Sequence, residues 1–218
     1  MTPPIVVILL TYARTEYTLR TIEAAIKNLV YPDLRWYVAD DGSASEHYQS
    51  VMEALKGQNV LGSHSEKLGY GGSANKAWHV AHDHADLTLF LEDDWNLERP
   101  FEIAHYAKLL MDYRDIGMVR MGYLNLNMEG KCIGRDGHLY WLLDRNADSY
   151  VFTGHPSLRH RRYREAYGPY PEGLNPGNTE LAYAAQYRHA QFGGPEIVWP
   201  AELGQWGPWG HIGTVQSY

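Results

Sequence analysis

The chain has few of the features that mark secreted and membrane-spanning proteins. Among its 218 residues there is one cysteine, Cys132, so no disulfide can form within the chain. A single thiol fits a reducing compartment. The longest aliphatic run, Ile5–Leu10, is too short to cross a bilayer and lacks the basic start of a secretory signal. We therefore expect a soluble, cytoplasmic protein without a transmembrane segment.

Positive charge is also scarce. The chain carries 19 Lys and Arg residues against 26 Asp and Glu, a formal net charge of -7. This balance argues against a surface built as a whole to bind polyanions, although it leaves a local basic patch open. Aromatic side chains are abundant, with 7 Trp and 17 Tyr. They serve equally for stacking on sugar rings or bases and for packing a core.

The first hundred residues alternate between predicted strands and helices. Ile5–Leu10 is apolar throughout, which is typical of a central strand buried on both faces in a parallel sheet. Ser43 and Glu46 have the spacing of a capping box at a helix start. Further strands are predicted at 36–39, 60–61 and 88–91, with helices through 19–29, from 43 to about 56, from 73 onward and from 100 to about 113. The alternation predicts an α/β fold, with a Rossmann-like, mostly parallel central sheet flanked by helices.

The second half of the chain has a less regular pattern. Residues 168–177 are too rich in Pro and Gly to be anything but a loop. Strands are predicted at 118–121, 139–143 and 150–153, and helices at 157–167 and 178–189. There is no repeat and no flexible linker, and the length suits one sizeable core, so we expect a single domain.

Three consecutive acids, Glu92–Asp94, follow the predicted strand at 88–91. In an extended backbone Glu92 and Asp94 would project to one face and Asp93 to the other. Carboxylate oxygens suit Mg²⁺ or Mn²⁺, which are often shared with the phosphates of a ligand. The alternative is an acidic turn that starts the next helix.

Other polar motifs also follow predicted strands. Thr11–Arg14, Asp40–Asp41 and the Gly-rich segment 69–72 share this placement with the acids. In open α/β sheets, ligands bind beyond the carboxyl ends of the strands. The common placement favours a ligand site over an accidental acidic turn.

Four segments, Ile5–Arg14, Ala39–Ser43, Gly69–Lys76 and Glu92–Asp94, occur in a particular order. In that order they resemble the family-two glycosyltransferases of GT-A fold, which transfer a sugar from a nucleotide donor with inversion. They are similar to the first strand with its nucleotide loop, the D-D-G-S element, the Gly-rich element and the metal motif of that family. The chain departs from the pattern where Ala13 replaces the usual Asn and Ala74 the usual Arg.

The resemblance implies a single GT-A domain over 1–218, with a nucleotide-sugar-binding half at 1–98 and an acceptor-binding and catalytic-base half at 99–218. Asp41 would pair with the nucleobase. The residues assigned to the nucleotide sugar are Thr11, Tyr12, Arg14, Asp41, Gly69, Asn75, Glu92, Asp93 and Arg162.

The metal is assigned to Asp94 as the direct ligand, with Glu92 in support. His211, within Trp209–Gly213, looks like the C-terminal histidine that completes the metal site in some GT-A enzymes. Mn²⁺ or Mg²⁺ there would stabilise the charge on the leaving diphosphate. The alternative is a histidine merely packed among tryptophans.

The segments Thr153–Leu158 and Asn178–Leu181 are similar to the acceptor region of the family, in which a carboxylate is the catalytic base. An inverting enzyme needs that base on the side of the sugar opposite the leaving group. Glu180 is our candidate, with Glu172 in reserve. An acid at a helix start is also favoured by the helix dipole without any catalysis.

Four arginines, Arg159, Arg161, Arg162 and Arg164, lie within six residues. One or two could hold donor phosphates through bidentate bonds. The group could instead contact a nucleic-acid acceptor, or form a solvated helix face.

The sequence thus predicts a metal-dependent inverting glycosyltransferase that uses a nucleotide sugar, most simply a UDP-sugar. Its acceptor could be a glycan, a lipid carrier, a protein or a modified nucleobase. Two other functions stay open. A nucleotidyltransferase acting on a sugar phosphate also uses an α/β sheet and a metal-bound diphosphate, and a non-catalytic module could bind a nucleotide or glycan without turnover.

Overall fold

The computed structural model describes residues 2–123, 130–146, 149–190 and 194–213. The helices in these ranges are α1 (Thr15–Asn28), α2 (Ser45–Ala54), α3 (Gly69–His84), α4 (Ala104–Asp112), α5 (Arg161–Tyr167) and α6 (Pro176–His189). The strands are β1 (Ile5–Thr11), β2 (Leu29–Val30), β3 (Leu34–Asp40), β4 (Val60–Ser65), β5 (Leu87–Glu92), β6 (Trp95–Leu97), β7 (Phe101–Glu102), β8 (Ile116–Arg120), β9 (Gly130–Arg135), β10 (His138–Leu143), β11 (Ser157–His160), β12 (Glu196–Pro200) and β13 (Trp209–His211).

One large sheet holds nine of these strands in the order β4-β3-β1-β5-β11-β8-β12-β10-β9. The pairs β4–β3, β3–β1, β1–β5 and β8–β12 are parallel, whereas β11 and β10 run against their neighbours. The predicted α/β class with a mostly parallel central sheet is confirmed. Strands from both halves of the chain meet where β5 pairs with β11.

Helices cover both faces of the sheet. The alternate residues Ile5, Val7 and Leu9 of β1 face one apolar cluster, together with buried side chains of α1, α2 and α4. Val6, Ile8 and Leu10 face the second cluster, which takes in α3, α5 and α6. Because β1 is buried on both faces, it has the uninterrupted apolar run of a central parallel strand.

Three boundaries in the first half differ from the prediction. The capping box is wrong, because the cap of α2 is Ala44 and Ser43 instead donates to the carboxylate of Asp40. The helix predicted from 73 onward begins earlier, because the Gly-rich segment forms the start of α3 at Gly69, where φ is 73°. The helix placed at Pro100 starts only at Ala104, since the intervening β7 pairs with β2.

The second half departs further. The predicted strand at 150–153 is absent, and the first four residues of the predicted helix at 157–167 form β11 instead. Strands β6 and β13 form a separate antiparallel pair that brings residues 209–211 beside 95–97. Because these two segments are more than a hundred residues apart, no local sequence pattern predicts their pairing.

None of the helices in the described ranges is both long enough and apolar enough to span a membrane.

The start of α3 packs directly against the loop at 171. A Cβ added to Gly71 would lie 2.1 Å from the carbonyl oxygen of Pro171. We expect Gly71→Ala to lower the free energy of unfolding by about 1–3 kcal/mol, because overpacking outweighs the roughly 1 kcal/mol that Ala ordinarily gains over Gly in a helix. Urea denaturation measures the change.

Gly134→Ala in β9 is the control for this substitution. A Cβ at Gly134 would meet nothing within 4 Å, so this variant should keep the wild-type stability. Equal stability of both variants would contradict the close approach at Gly71.

Candidate active site

A cavity of about 510 Å³ lies where β5 ends. β5 stops at Glu92, Asp93 and Asp94 form a turn, and β6 begins at Trp95. The predicted extended backbone through Asp94 is therefore wrong, since a turn rather than strand alternation sets the side-chain directions. The cavity is lined by Leu10, Arg14, Tyr70, Glu92, Asp93, Asp94, Trp95, Tyr123, His155, Asn175, Pro176, Gly177, Glu180 and His211.

Asp93 ties the ends of β5 and β1 together. Its Oδ2 accepts hydrogen bonds from the hydroxyl of Thr11 at 3.0 Å and from the backbone N–H of Tyr12 at 3.1 Å. Its Oδ1 forms an ion pair with Arg14. Burial raises the pKa of Asp93 to about 6, against the opposing charge of Arg14. The hydroxyl of Thr11, the N–H of Tyr12 and the guanidinium of Arg14 thus all bind the carboxylate of Asp93.

One carboxylate oxygen of Asp94 contacts both Arg14 and His211. Its Oδ2 lies 2.8 Å from Nη1 of Arg14 and 3.2 Å from Nε2 of His211. Burial opposes ionisation, but the hydrogen bond from His211 and the charge of Arg14 hold the pKa of Asp94 below its ordinary value. Its Oδ1 is buried and has no hydrogen-bond partner among the described residues. Asp94 is therefore an ionised carboxylate with one oxygen unused.

The segment after β13 lies close to Asp94. The N–H of Ile212 donates to the backbone carbonyl of Asp94 at 2.8 Å, and a Cβ on Gly213 would lie 2.3 Å from Oδ2 of Asp94. Together with the β6–β13 pairing, these contacts fix His211 beside the acids.

Two further carboxylates, those of Glu92 and Glu180, lie close to Gly154. The hydroxyl of Tyr70 donates to Oε1 of Glu92 at 2.7 Å, and the backbone N–H of Gly154 donates to Oε1 of Glu180. A Cβ on Gly154 would lie 2.3 Å from Oε1 of Glu92. Only glycine leaves room here for Glu92 and for the hydroxyl of Tyr70, which a Cβ would approach to 2.5 Å.

Burial is the main reason that both glutamates resist ionisation. It raises the pKa of Glu92 well above the ordinary value, and the charges of Glu180 and Asp94 raise it further. Burial also raises the pKa of Glu180, although the N–H of Gly154 and the charges of Arg120 and Arg159 partly offset this. The charge of Glu180 thus contributes to the raised pKa of Glu92.

Glu180 enters the cavity from α6. That helix begins at Pro176 with Asn175 as its cap, and its first turn contains no acid, so Glu180 is not at the helix start as predicted. The helix dipole therefore does not explain this position. Glu172 does not line the cavity; it is exposed and accepts a hydrogen bond from Asn75 at 2.7 Å.

Asp41 and Tyr12 lie beside the cavity lining rather than in it. The carboxylate of Asp41 is fully buried and accepts from the N–H of Leu68 at 2.8 Å and the hydroxyl of Ser73 at 2.9 Å. Nζ of Lys67 lies 2.9 Å from Asp41 and 3.4 Å from the centre of the Tyr12 ring. Lys67 therefore contacts two of the residues that the sequence assigned to the nucleotide sugar, Asp41 and Tyr12.

Three other residues that were predicted to bind the nucleotide sugar do not line the cavity. Thr11 is buried against Thr18 and His47, in addition to Asp93. The amide of Asn75 bonds to both backbone groups of Tyr170 and so braces the loop after α5. Gly69 opens α3 and does not line the cavity.

The four clustered arginines do not form one basic surface. Arg159 is fully buried and donates to the hydroxyl of Tyr170 at 2.5 Å. Arg161 pairs with Asp86 and Glu165, Arg162 donates to the carbonyls of Leu110 and Tyr113, and Arg164 donates to Asn75. None of the four lines the cavity, so Arg162 is not placed to hold a donor phosphate and no shared surface for nucleic acid is formed.

Sequence reasoning missed several cavity residues. Tyr70 and His155 lie inside segments that were singled out, yet nothing local marks them as partners of the acids. His155 packs between Trp95 and Tyr123, with ring centroids 4.8 and 4.3 Å away. Burial and the charge of Arg120 lower the pKa of His155 well below its ordinary value, so its ring is neutral.

Comparison with solved structures finds the same fold in glycosyltransferases. The mannosyltransferase PcManGT from Pyrobaculum calidifontis, in complex with GDP-Man and Mn²⁺, matches with a TM-score of 0.56 and 18% identity over 92% of this chain and 57% of its own. TarS 1–349 from S. aureus in complex with UDP-GlcNAc matches with a TM-score of 0.64 and 17% identity over 90% of this chain and 55% of its own. The same TarS fragment with UDP gives 0.63 and 16% over 90% and 60%.

The chain thus spans little more than half the length of these proteins. Comparison of the sequence with protein-family models and with curated proteins finds no match. At this level of identity the likeness concerns the fold. It confirms the fold that the ordered motifs predicted: the chain has the GT-A fold of glycosyltransferases.

Proposed function

We propose that this chain is a glycosyltransferase that moves a sugar from a nucleotide donor to an acceptor hydroxyl with inversion. The observation that carries the proposal is the single cavity that unites the acids ending β5 with Glu180 of α6. One set of groups suits a metal-bound diphosphate and the other suits proton removal. The GT-A fold and neighbours whose structures hold GDP-Man, UDP-GlcNAc or UDP support this chemistry.

The donor would bind to the half formed by residues 1–98. Arg14 lines the cavity and can form charge-assisted hydrogen bonds to a diphosphate. Asp41, which pairs with Lys67 beside the ring of Tyr12, is the proposed partner of the nucleobase. These contacts fit more than one nucleobase, so UDP-sugars, the donor class that the sequence predicts, are the first to test.

Asp94, Glu92 and His211 would hold a divalent cation. Asp94 has a buried Oδ1 without a hydrogen-bond partner among the described residues, and the imidazole of His211 lies 3.2 Å from its Oδ2. These donors fit such an ion, and a neighbouring structure contains Mn²⁺. Bound there, Mn²⁺ or Mg²⁺ would act as a Lewis acid on the leaving diphosphate.

Glu180 would remove the proton from the acceptor hydroxyl. The N–H of Gly154 orients one carboxylate oxygen and leaves the other for an acceptor. The acceptor would enter through the half formed by residues 99–218, past Tyr123 and His155. Both are aromatic and suit contact with a sugar ring.

We expect Asp94→Asn to lower nucleotide release from a UDP-sugar with Mn²⁺ by at least about a hundredfold, because changes even to outer partners of metal ligands cost 10–100-fold. Stabilisation of the chain by Mn²⁺ in thermal unfolding should fall as well. Asp83→Asn, an exposed acid on α3, is the control and should keep both properties. Wild-type turnover by Asp94→Asn would remove Asp94 from the metal site.

Glu180→Gln preserves the shape of the side chain but cannot accept a proton. We expect kcat to fall by about 10²–10⁴-fold while thermal stabilisation by UDP is kept. Glu172→Gln should retain turnover, since Glu172 lies outside the cavity. The reverse result, with turnover lost only in Glu172→Gln, would transfer the role of base to Glu172.

The pH dependence of kcat tests the state of Glu180. A base must be ionised, and the raised pKa of Glu180 means that activity is lost on acidification at a higher pH than for an ordinary glutamate of about 4.3. The acidic limb of the kcat profile should therefore have its midpoint above that value, and residual turnover in Glu180→Gln should lack this limb. A midpoint at or below 4.3 would contradict the assignment.

A further inference from the structure

Three side chains of metal-ligating type converge at a second place, outside the cavity. His105 lies in the first turn of α4, His138 starts β10, and Glu202 lies in the short 3-10 helix Ala201–Leu203 that follows β12. One nitrogen or oxygen of each lies within 4.8 Å of those of the other two. None of the three lines the cavity at Asp94.

Their separations suit one small ion. Oε1 of Glu202 is 3.0 Å from Nε2 of His105, and its Oε2 is 3.3 Å from Nδ1 of His138. A tetrahedral Zn²⁺ with bonds of about 2.0–2.2 Å holds its ligands roughly 3.3 Å apart. The two imidazole rings stack with their centroids 4.9 Å apart. One nitrogen of each ring approaches the carboxylate of Glu202.

The carboxylate is supported from the core. The hydroxyl of Tyr106, a fully buried side chain, donates to Oε1 of Glu202 at 2.7 Å. Burial opposes ionisation of Glu202, but the hydrogen bonds from Tyr106, His138 and His105 keep its pKa below the ordinary value. Outer hydrogen bonds of this kind orient the ligands of protein metal sites.

The outer side of the cluster is open to water. The side chains of His105, His138 and Glu202 are 28%, 39% and 42% exposed. An ion bound by the three could therefore keep a water molecule as a fourth ligand, as open three-ligand sites do. Two imidazoles also select for zinc, copper or nickel over Mg²⁺, which prefers oxygen ligands.

We propose that His105, His138 and Glu202 bind a divalent transition-metal ion of the zinc class, at a site separate from the cation site at Asp94. The ion joins α4, β10 and the 3-10 helix after β12. That 3-10 helix begins the segment that leads through β13 to His211, so the ion also fixes the start of the segment that reaches the cavity.

Calorimetric titration of the full chain with Zn²⁺ tests the site. All variants carry Asp94→Asn and His211→Ala as well, so that the cavity lacks both its proposed direct ligand and its imidazole. We expect one Zn²⁺ per chain in this background, and a loss of affinity of about tenfold or more on adding His105→Ala, His138→Ala or Glu202→Gln. Glu202→Gln keeps an acceptor for Tyr106, which separates loss of a ligand from loss of the fold.

His79→Ala, an exposed histidine on α3, is the matched control and should bind Zn²⁺ unchanged. Zn²⁺ should also raise the unfolding temperature only in chains that keep all three residues. The same Zn²⁺ affinity in the control and in the three test variants would overturn the proposal. The result does not depend on sugar transfer, so it stands or fails apart from the proposed function.

Discussion

The buried carboxylate of Asp93 is the constraint on which the rest of the site depends. Removing such a charge from water costs several kcal/mol unless it is paired and hydrogen-bonded. Thr11, Tyr12 and Arg14 together meet this requirement and join the carboxyl ends of β1 and β5. The turn formed by Asp93 and Asp94 is thereby held at the end of β5, where Glu92 and Asp94 both line the cavity.

The parallel part of the fold could be predicted because it is encoded locally. A strand buried on both faces, such as β1, is apolar at every position, and the helices between such strands carry their own periodicity. β11 escaped prediction because it contains Arg159, a charged residue that the fold buries among aromatic rings and bonds to Tyr170. A run of charge around it resembles a solvated helix, and only the tertiary environment shows otherwise.

The residue types in the site and their order along the chain could be predicted, whereas most side-chain contacts could not. Asp94, Glu92, Glu180 and His211 meet in one cavity, as the acidic motif and the resemblance suggested. The amide of Asn75 instead braces a loop, and Gly154 lies close to Glu92 and donates to Glu180; a linear pattern shows neither contact. Such contacts join residues distant in sequence, so no local spacing encodes them.

Arg14 gives the site a built-in counter-ion. Its guanidinium already neutralises the oxygen of Asp94 that His211 also approaches. In the proposed function, an ion held by Asp94 and His211 and a diphosphate held by Arg14 would meet at this carboxylate. An anionic ligand that drew Arg14 away from Asp94 would, by linkage, strengthen ion binding by the same factor as the ion strengthened binding of that ligand. The proposed ion and diphosphate would then depend on each other through one side chain.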